Sequence, residues 1–121
     1  MKRLIAFLIL IVIASGCQNI TSEDIENAKK AIETGNPSYC ENIGDVLGKD
    51  TCFSAVANKK GDATICKRIS DLRMVDGCYL GVATTTRNPR VCEMMNRSKD
   101  QEECKQMASN VGKEALANLA G

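Results

Sequence analysis

Six of the seven cysteines recur at a fixed period, and this regularity constrains the fold more than any other feature of the chain. Separations of 12 and 14 residues alternate, so the pattern repeats every 26 residues, at Cys40, Cys52, Cys66, Cys78, Cys92 and Cys104. A fixed period of about 20 to 50 residues indicates stacked copies of one supersecondary unit. The copies span residues 36–61, 62–87 and 88–113.

Each unit opens with the signals of a helix start. Its first residue is Asn36, Asp62 or Asn88, and proline follows as Pro37 and Pro89 in two of the three units. An Asn or Asp side chain at an N-cap accepts a hydrogen bond from the first turn, and proline suits the first helical position. We expect a first helix here, whose buried face carries the cysteine and the apolar residue three places later: Ile43, Ile69 and Met95.

A second helix is predicted around the second cysteine of each unit. An acidic residue stands two places before that cysteine, in the expected first turn, where the helix dipole favours negative charge; these residues are Asp50, Asp76 and Glu102. The expected buried face holds the cysteine and the residues three and four places later. These residues are Ala55 and Val56, Gly81 and Val82, and Met107 and Ala108.

The flanks resemble half-units without cysteine. Residues 21–34 follow the second-helix pattern, with Asp24 in phase with Asp50, and residues 113–120 are rich in Ala and Leu. Cysteine-free terminal helices are typical caps of solenoids. The predicted fold is therefore all-α: a short α-solenoid of three disulfide-stapled helical hairpins with capping helices, eight helices in all and no strand, within residues 24–121.

The repeat geometry favours one pairing of the six cysteines out of the 15 connectivities that they allow. If the first helix ends near Asp45 and the second begins near Lys49, the two cysteines of a unit lie at similar height on antiparallel helices. Pairing between units would offset the sulfurs by roughly 5 Å. We predict Cys40–Cys52, Cys66–Cys78 and Cys92–Cys104. A zinc site is disfavoured because its cysteines stand about two to four residues apart, and a redox site because Cys-x-x-Cys is absent.

Residues 1–16 have the organisation of a signal peptide. A basic start precedes an apolar run over residues 4–13, which is shorter than the roughly 20 residues of a membrane-spanning helix. The run leads into Ala14-Ser15-Gly16-Cys17, which resembles the lipobox of prokaryotic lipoproteins. The resemblance implies cleavage before Cys17 and a diacylglyceryl thioether on its sulfur, with residues 17–23 as a tether. Cleavage of the same bond by ordinary signal peptidase is the alternative.

The cysteine content predicts an exported protein, because disulfides persist in oxidising compartments and compensate for a small core. Cys17 is the odd seventh cysteine, and a lipid on its sulfur removes a free thiol. The expected location is the outer face of the cytoplasmic membrane or elsewhere in the cell envelope. The expected contact with the membrane is the lipid anchor.

Composition argues against several classes of function. The chain contains no His, which removes the commonest general base and metal ligand, and no Trp. Cleavage removes two of the 16 basic residues, which leaves 14 against 15 acidic ones and disfavours a nucleic-acid partner. The sequence has no nucleophile motif, phosphate loop or paired carboxylates. We therefore expect no catalytic residue, no metal and no cofactor.

Two rows of equivalent residues invite a functional interpretation. Phe53 and Tyr79 directly follow the second cysteine of their units, and Lys105 stands at the third such position, so the three are a possible binding ridge. Packing against the neighbouring unit is the alternative. The row Asp50, Asp76 and Glu102 has the ligand type for a divalent cation, but complementarity to the helix dipole explains it without a ligand.

In architecture, the units look like the disulfide-stapled helical hairpins of tetratricopeptide-like exported proteins. The resemblance implies a solenoid that binds a protein or peptide, so an interaction or scaffold module at the cell envelope is the expected function. An inhibitor or immunity-type lipoprotein that binds one partner enzyme is the alternative. An enzyme is the least favoured reading, because three short hairpins leave little room for a polar cleft.

Overall fold

The computed structural model describes residues 20–120, apart from a few side chains after residue 110. These residues form an all-α stack of hairpin units without a strand, which confirms the predicted short solenoid. Four α-helices alternate with three 3₁₀ helices: α1 Ser22–Thr34, η1 Pro37–Asn42, α2 Val46–Lys60, η2 Ala63–Arg68, α3 Leu72–Thr86, η3 Pro89–Met94 and α4 Ser98–Ala120.

The unit boundaries are helix ends in the left-handed conformation. Gly35, Gly61 and Arg87 follow α1, α2 and α3 with φ of 69°, 67° and 54°. Glycine adopts this conformation without steric cost, and a Cβ on Gly61 would also lie 2.7 Å from the Thr86 methyl group. The next residue is the predicted N-cap of the following unit, so the 26-residue periods coincide with the structural repeat.

The first helix of every unit is a six-residue 3₁₀ helix rather than the expected α-helix. The Asn36 side chain caps it by accepting a hydrogen bond from the Ser38 N–H at 3.0 Å, and Ile43 ends it in an extended conformation. So short a segment forms few i to i+4 bonds, and i to i+3 bonds satisfy its backbone instead. The second helix begins earlier than predicted, at Val46, because Asp45 is its N-cap.

The predicted separate cap over residues 113–120 is wrong, since α4 runs without a break to Ala120. Each of the three earlier boundaries combines a left-handed residue with an Asn or Asp cap. In α4, Lys113 and Glu114 occupy the positions equivalent to the left-handed residue and the cap. Without a signal to stop and restart, the helix continues, and the described residues form seven helices rather than eight.

All three predicted disulfides are confirmed. Each joins a 3₁₀ helix to the following α-helix of the same unit across a Cα–Cα distance of 5.7 Å: Cys40–Cys52, Cys66–Cys78 and Cys92–Cys104. All six cysteines are buried and belong to the hydrophobic core. Closing a loop of this size adds about 3 kcal/mol to stability.

The buried face of the second helices differs in part from the predicted one. The residues four places after the cysteine, Val56, Val82 and Ala108, are buried as expected. The residues three places after the cysteine, Ala55, Gly81 and Met107, are not buried, and Met107 is among the exposed apolar residues. The residue directly after the cysteine is buried in units one and two, because that side of α2 and α3 packs against the next unit.

Candidate functional site

The predicted binding ridge is wrong for its two aromatic residues. Phe53 is 1% exposed and Tyr79 is 4% exposed, so neither presents a surface to a ligand. Lys105 is partly exposed, and its Nζ lies 3.1 Å from Glu102 Oε1. Burial raises the pKa of the Tyr79 phenol, and the charge of Asp76 adds to this effect. Packing against the neighbouring unit, the alternative given above, is what the structure shows.

Arg68 of unit two covers the Phe53 ring of unit one. The guanidinium carbon lies 4.6 Å from the ring centroid, and the same side chain forms an ion pair with Glu41. A cation over an aromatic face is favourable, and the long side chain also shields the ring from water. The aromatic residues therefore serve the contact between units.

A buried aspartate joins each of the first two units to the next one, a role that the sequence analysis missed. The Asp50 carboxylate accepts hydrogen bonds from the Ser70 and Asp71 N–H groups at 2.9 and 3.0 Å. Both N–H groups belong to the segment between η2 and α3. Since these groups have no partner within a helix, Asp50 satisfies donors that would otherwise need water.

The same contact recurs one repeat earlier and one repeat later. Asp76 accepts hydrogen bonds from the Asn96 and Arg97 N–H groups at 2.7 and 3.3 Å. Asp24 accepts one from the Gly44 N–H at 3.0 Å. We call Asp24, Asp50 and Asp76 the clamp aspartates, because each holds the loop of the following unit.

The contacts of the clamp aspartates correct both interpretations of the row Asp50, Asp76 and Glu102, namely complementarity to the helix dipole and binding of a divalent cation. Asp50 is the fifth residue of α2, beyond the first turn to which it was assigned, and it binds backbone N–H groups rather than a cation. No group of three or more potential metal ligands occurs in the described part of the chain. Glu102 differs from its equivalents: it is exposed and pairs with Lys105. A signal was present in the sequence, because Asp24 extends the row into a half-unit.

Hydrogen bonding holds the pKa of two clamp aspartates below the usual value of 3.8. At Asp24, the N–H groups of Thr21 and Gly44 and the Thr21 hydroxyl stabilise the charged carboxylate. At Asp76, burial works in the opposite direction, but the hydrogen bonds from Asn96 and Arg97 together outweigh it and lower the pKa. Both side chains are therefore charged at neutral pH.

One surface groove lies between α1 and α2. It has a volume of about 370 Å³, and aliphatic side chains form most of its lining: Ile20, Ile25, Ala28, Ile32, Ile43 and Leu47. Asp24 and Asp45 are among its few charged residues, and both are engaged in hydrogen bonds to backbone N–H groups. We call this cavity the first groove.

A second groove, which we call the last groove, lies between α3 and α4 and has a volume of about 310 Å³. Its rim is charged. Arg97 lies 2.9 Å from Asp100 and 3.4 Å from Asp76, and Arg73 and Glu103 also line the cavity. The apolar lining includes Leu80, Met95 and Met107.

The two grooves occupy the same place in the repeat, 52 residues or two periods apart. Both are bordered by a clamp aspartate and by the second cysteine of a unit. Substitutions at equivalent positions add two charges, Gly48 to Asp100 and Thr51 to Glu103, and reverse one, Asp45 to Arg97. Two further positions change from aliphatic residues to methionine, Ile43 to Met95 and Ala55 to Met107. The repeat thus presents one cavity in two chemical forms.

The predicted signal peptide and the lipid-bearing Cys17 lie outside the described residues. Both stay predictions. Along the helices that the structure describes, none has the length and apolar character that crossing a membrane requires.

Comparison with protein-family models, with curated proteins and with solved structures finds no match for this chain. The functional assignment therefore rests on the two grooves and on the sequence.

Proposed function

We propose that the protein is an exported lipoprotein that acts as an interaction module at the cell envelope and binds a segment of a partner protein in the last groove. The observation that carries the proposal is the charged, methionine-bearing last groove, at a position where an equivalent groove is aliphatic. A surface that differs mainly in its exposed side chains suggests recognition rather than packing.

The disulfide and the clamp that hold the walls of the last groove in place favour binding. Unit three is stapled by Cys92–Cys104, and Asp76 holds its loop against unit two. A cavity whose walls are fixed beforehand loses little conformational entropy when a partner is bound. The stack thus supplies a preorganised surface, which an interaction module needs.

The chemistry of the last groove fits a peptide segment of mixed charge. Arg73 and Arg97 are largely exposed, and arginine is enriched among residues that dominate interfaces. Glu103 offers an acceptor on the other wall, and the exposed Met107 supplies an adaptable apolar contact.

The proposed location rests on the leader and on the disulfides. Three intramolecular disulfides are compatible with an oxidising, exported environment. A lipid on Cys17 would keep the module at a membrane. The tether is shorter than the predicted residues 17–23, because α1 begins at Ser22 with Thr21 as its N-cap. Intact-mass analysis of protein from native membranes tests this anchor, and a mature mass without acyl chains would contradict it.

Site-specific photocrosslinking tests the binding groove. A photoreactive residue at Met107 is expected to capture one defined partner in native membranes, whereas the same probe at Lys29 on α1 captures none. The charge reversal Glu103→Lys should weaken that capture by about tenfold, a loss of about 1.4 kcal/mol.

The matched control is Glu102→Lys, which makes the same charge change on the neighbouring residue outside the groove. Equal effects of the two charge reversals would overturn the assignment. If the captured partner is an enzyme that loses activity on binding, the module is an inhibitor rather than a scaffold.

A further inference from the structure

Three exposed aliphatic residues recur at one position of the repeat. Ile20, Val46 and Leu72 stand 26 residues apart, and 59%, 63% and 69% of their surfaces are exposed. Val46 and Leu72 are the first residues of α2 and α3, and Ile20 lies two residues before α1. Because the α-helices of successive units run in the same direction, the three residues lie along one edge of the stack.

Leu47 extends this row at the end that is nearest to the start of the described chain. It is as exposed as its neighbour Val46, and it also lines the first groove together with Ile20. We call Ile20, Val46, Leu47 and Leu72 the apolar edge. Single exposed aliphatic residues are ordinary, but four on one edge, three of them at a repeated position, mark a surface that contacts something apolar.

The attachment of the chain indicates what this surface contacts. Cys17 precedes Ile20 by three residues, and three residues reach at most about 10 Å. A lipid on Cys17 therefore brings the bilayer surface close to Ile20, at one end of the apolar edge. We propose that the apolar edge lies in the interfacial layer of the membrane, an inference that rests on the proposed lipid anchor.

The charged residues beside the apolar edge are engaged in contacts within the protein, so the contact with the membrane is apolar rather than ionic. Arg73 follows Leu72, but its guanidinium is 3.1 Å from the Asp71 carboxylate, and Asp45 caps α2 beside Val46. Basic residues therefore do not dominate the edge, and attraction to anionic lipid contributes little. The contact forms on neutral phosphatidylcholine.

The contact orients the module. Both grooves have lining residues at or beside the apolar edge: Leu47 lines the first groove, and Arg73, which follows Leu72, lines the last groove. With the edge on the bilayer, the last groove stays open sideways, close to the membrane surface. The partner segment that it reaches is then a membrane-proximal one.

Tryptophan fluorescence tests the proposal, since the chain contains no Trp. The mature lipidated protein is reconstituted in phosphatidylcholine vesicles with brominated acyl chains, as Leu47→Trp, Leu72→Trp or Arg90→Trp. Arg90 is exposed in η3, near the opposite edge. We expect blue-shifted emission and at least about twofold quenching at both edge positions, where the indole enters the interface, and neither effect at Arg90→Trp.

Equal quenching at all three positions, or none at any, overturns the proposal. A blue shift without quenching means that a protein surface, such as a second copy of the chain, covers the edge, which also overturns it. Far-UV circular dichroism confirms that the variants are folded. The intact mass of the same preparation separates the two proposals: acylated protein without quenching ends only the edge contact, whereas unacylated protein ends the anchor and the edge contact together.

Discussion

The first groove and the last groove have the same backbone setting and opposite chemistry. Each is bordered by a clamp aspartate and a disulfide cysteine, yet Thr51 and Ala55 of one correspond to Glu103 and Met107 of the other. Most of the side chains that differ are exposed or half-buried, whereas the clamp aspartate and the cysteine that the grooves share are buried. The comparison teaches that the repeat separates a structural frame from a variable surface.

The two grooves also differ in how their outer walls are held. In the last groove, α4 is tied to η3 by Cys92–Cys104. In the first groove, the cysteine-free α1 is held by noncovalent contacts, which include a hydrogen bond of 2.6 Å from Lys59 Nζ to the Ile32 carbonyl oxygen. One wall of the first groove, α1, therefore depends on noncovalent packing alone, whereas both walls of the last groove, α3 and α4, are held by disulfides.

Reduction of all three disulfides should have the largest effect and should destroy both grooves. Each bridge contributes about 3 kcal/mol, and a domain of this size has a total stability of about 5–15 kcal/mol. We expect dithiothreitol without denaturant to abolish most of the far-UV circular dichroism of the helices, including that of α1, which has no surface to pack on once unit one unfolds. An unchanged spectrum after complete reduction would contradict the account.

Removal of a clamp should come next. Asp76→Ala leaves the Asn96 and Arg97 N–H groups without their acceptor, and hydrogen bonds to a charged group contribute about 1.5–3 kcal/mol. We expect the free energy of unfolding in urea to fall by about 3 kcal/mol. The control Glu102→Ala removes the exposed equivalent and should cost less than about 0.5 kcal/mol. Similar losses for the two variants would show that burial at the clamp is unimportant.

Acid should weaken the clamps at both ends of the stack. The pKa values of Asp24 and Asp76 are lower in the folded chain than the usual 3.8. The pKa values of Asp62, which is hydrogen-bonded to Thr64, and of Asp71, which is hydrogen-bonded to Arg73, are lowered as well. Their contribution is complete above about pH 4 and is lost as the pH falls through the folded values. We expect Tm to be constant from pH 7 to 5 and to drop from about pH 4 to 2. A Tm independent of pH over that range would refute the prediction.

A substitution at Arg87, the unit boundary after α3, should raise the stability of the protein. The equivalent boundary after α1 already has a glycine, Gly35. Arg87 adopts the left-handed conformation that Gly35 adopts at the equivalent place, and this conformation costs a residue with a Cβ about 1–2 kcal/mol. Arg87→Gly removes this cost but makes the unfolded chain more flexible, which offsets part of the gain. The net stabilisation should be about 0.5–1 kcal/mol. Thermal unfolding measures the change. A lower Tm would mean that the Arg87 side chain contributes more than its backbone costs.

Exchange of the groove walls should have the smallest effect on stability. Thr51→Glu with Ala55→Met places the side chains of the last groove in the first one. Since Thr51 is exposed and Ala55 half-buried, we expect a change within about 0.5 kcal/mol. Urea unfolding provides the measurement. A loss of several kcal/mol would show that groove side chains belong to the frame.

The repeat, the disulfides and the N-caps were predictable because each has a local or periodic signal. The spacing of Cys40 and Cys52 is the same in all three units, and Asn36 and its equivalents are recognisable caps. The clamp was not recognised, since the partners of Asp50 lie 20 and 21 residues away and are backbone groups that carry no mark in the sequence.

The remaining differences have the same origin in tertiary packing. Phe53 follows a buried cysteine, a position that faces outward on an isolated helix pair, and it is buried by packing against unit two, which includes Arg68 over the ring. The chemistry of the grooves was present in residues such as Thr51 and Glu103, but nothing local shows that these positions line a cavity.

Amide hydrogen exchange of the clamped loops tests most directly the claim that buried carboxylates join stapled units into one frame. The Ser70, Asp71, Asn96 and Arg97 N–H groups lie outside regular helix hydrogen bonding, yet they should exchange nearly as slowly as the buried amide of Val82. Asp50→Ala should release the first two and leave the last two protected. Rapid exchange of all four in the unaltered protein would show that the units are not joined in this way.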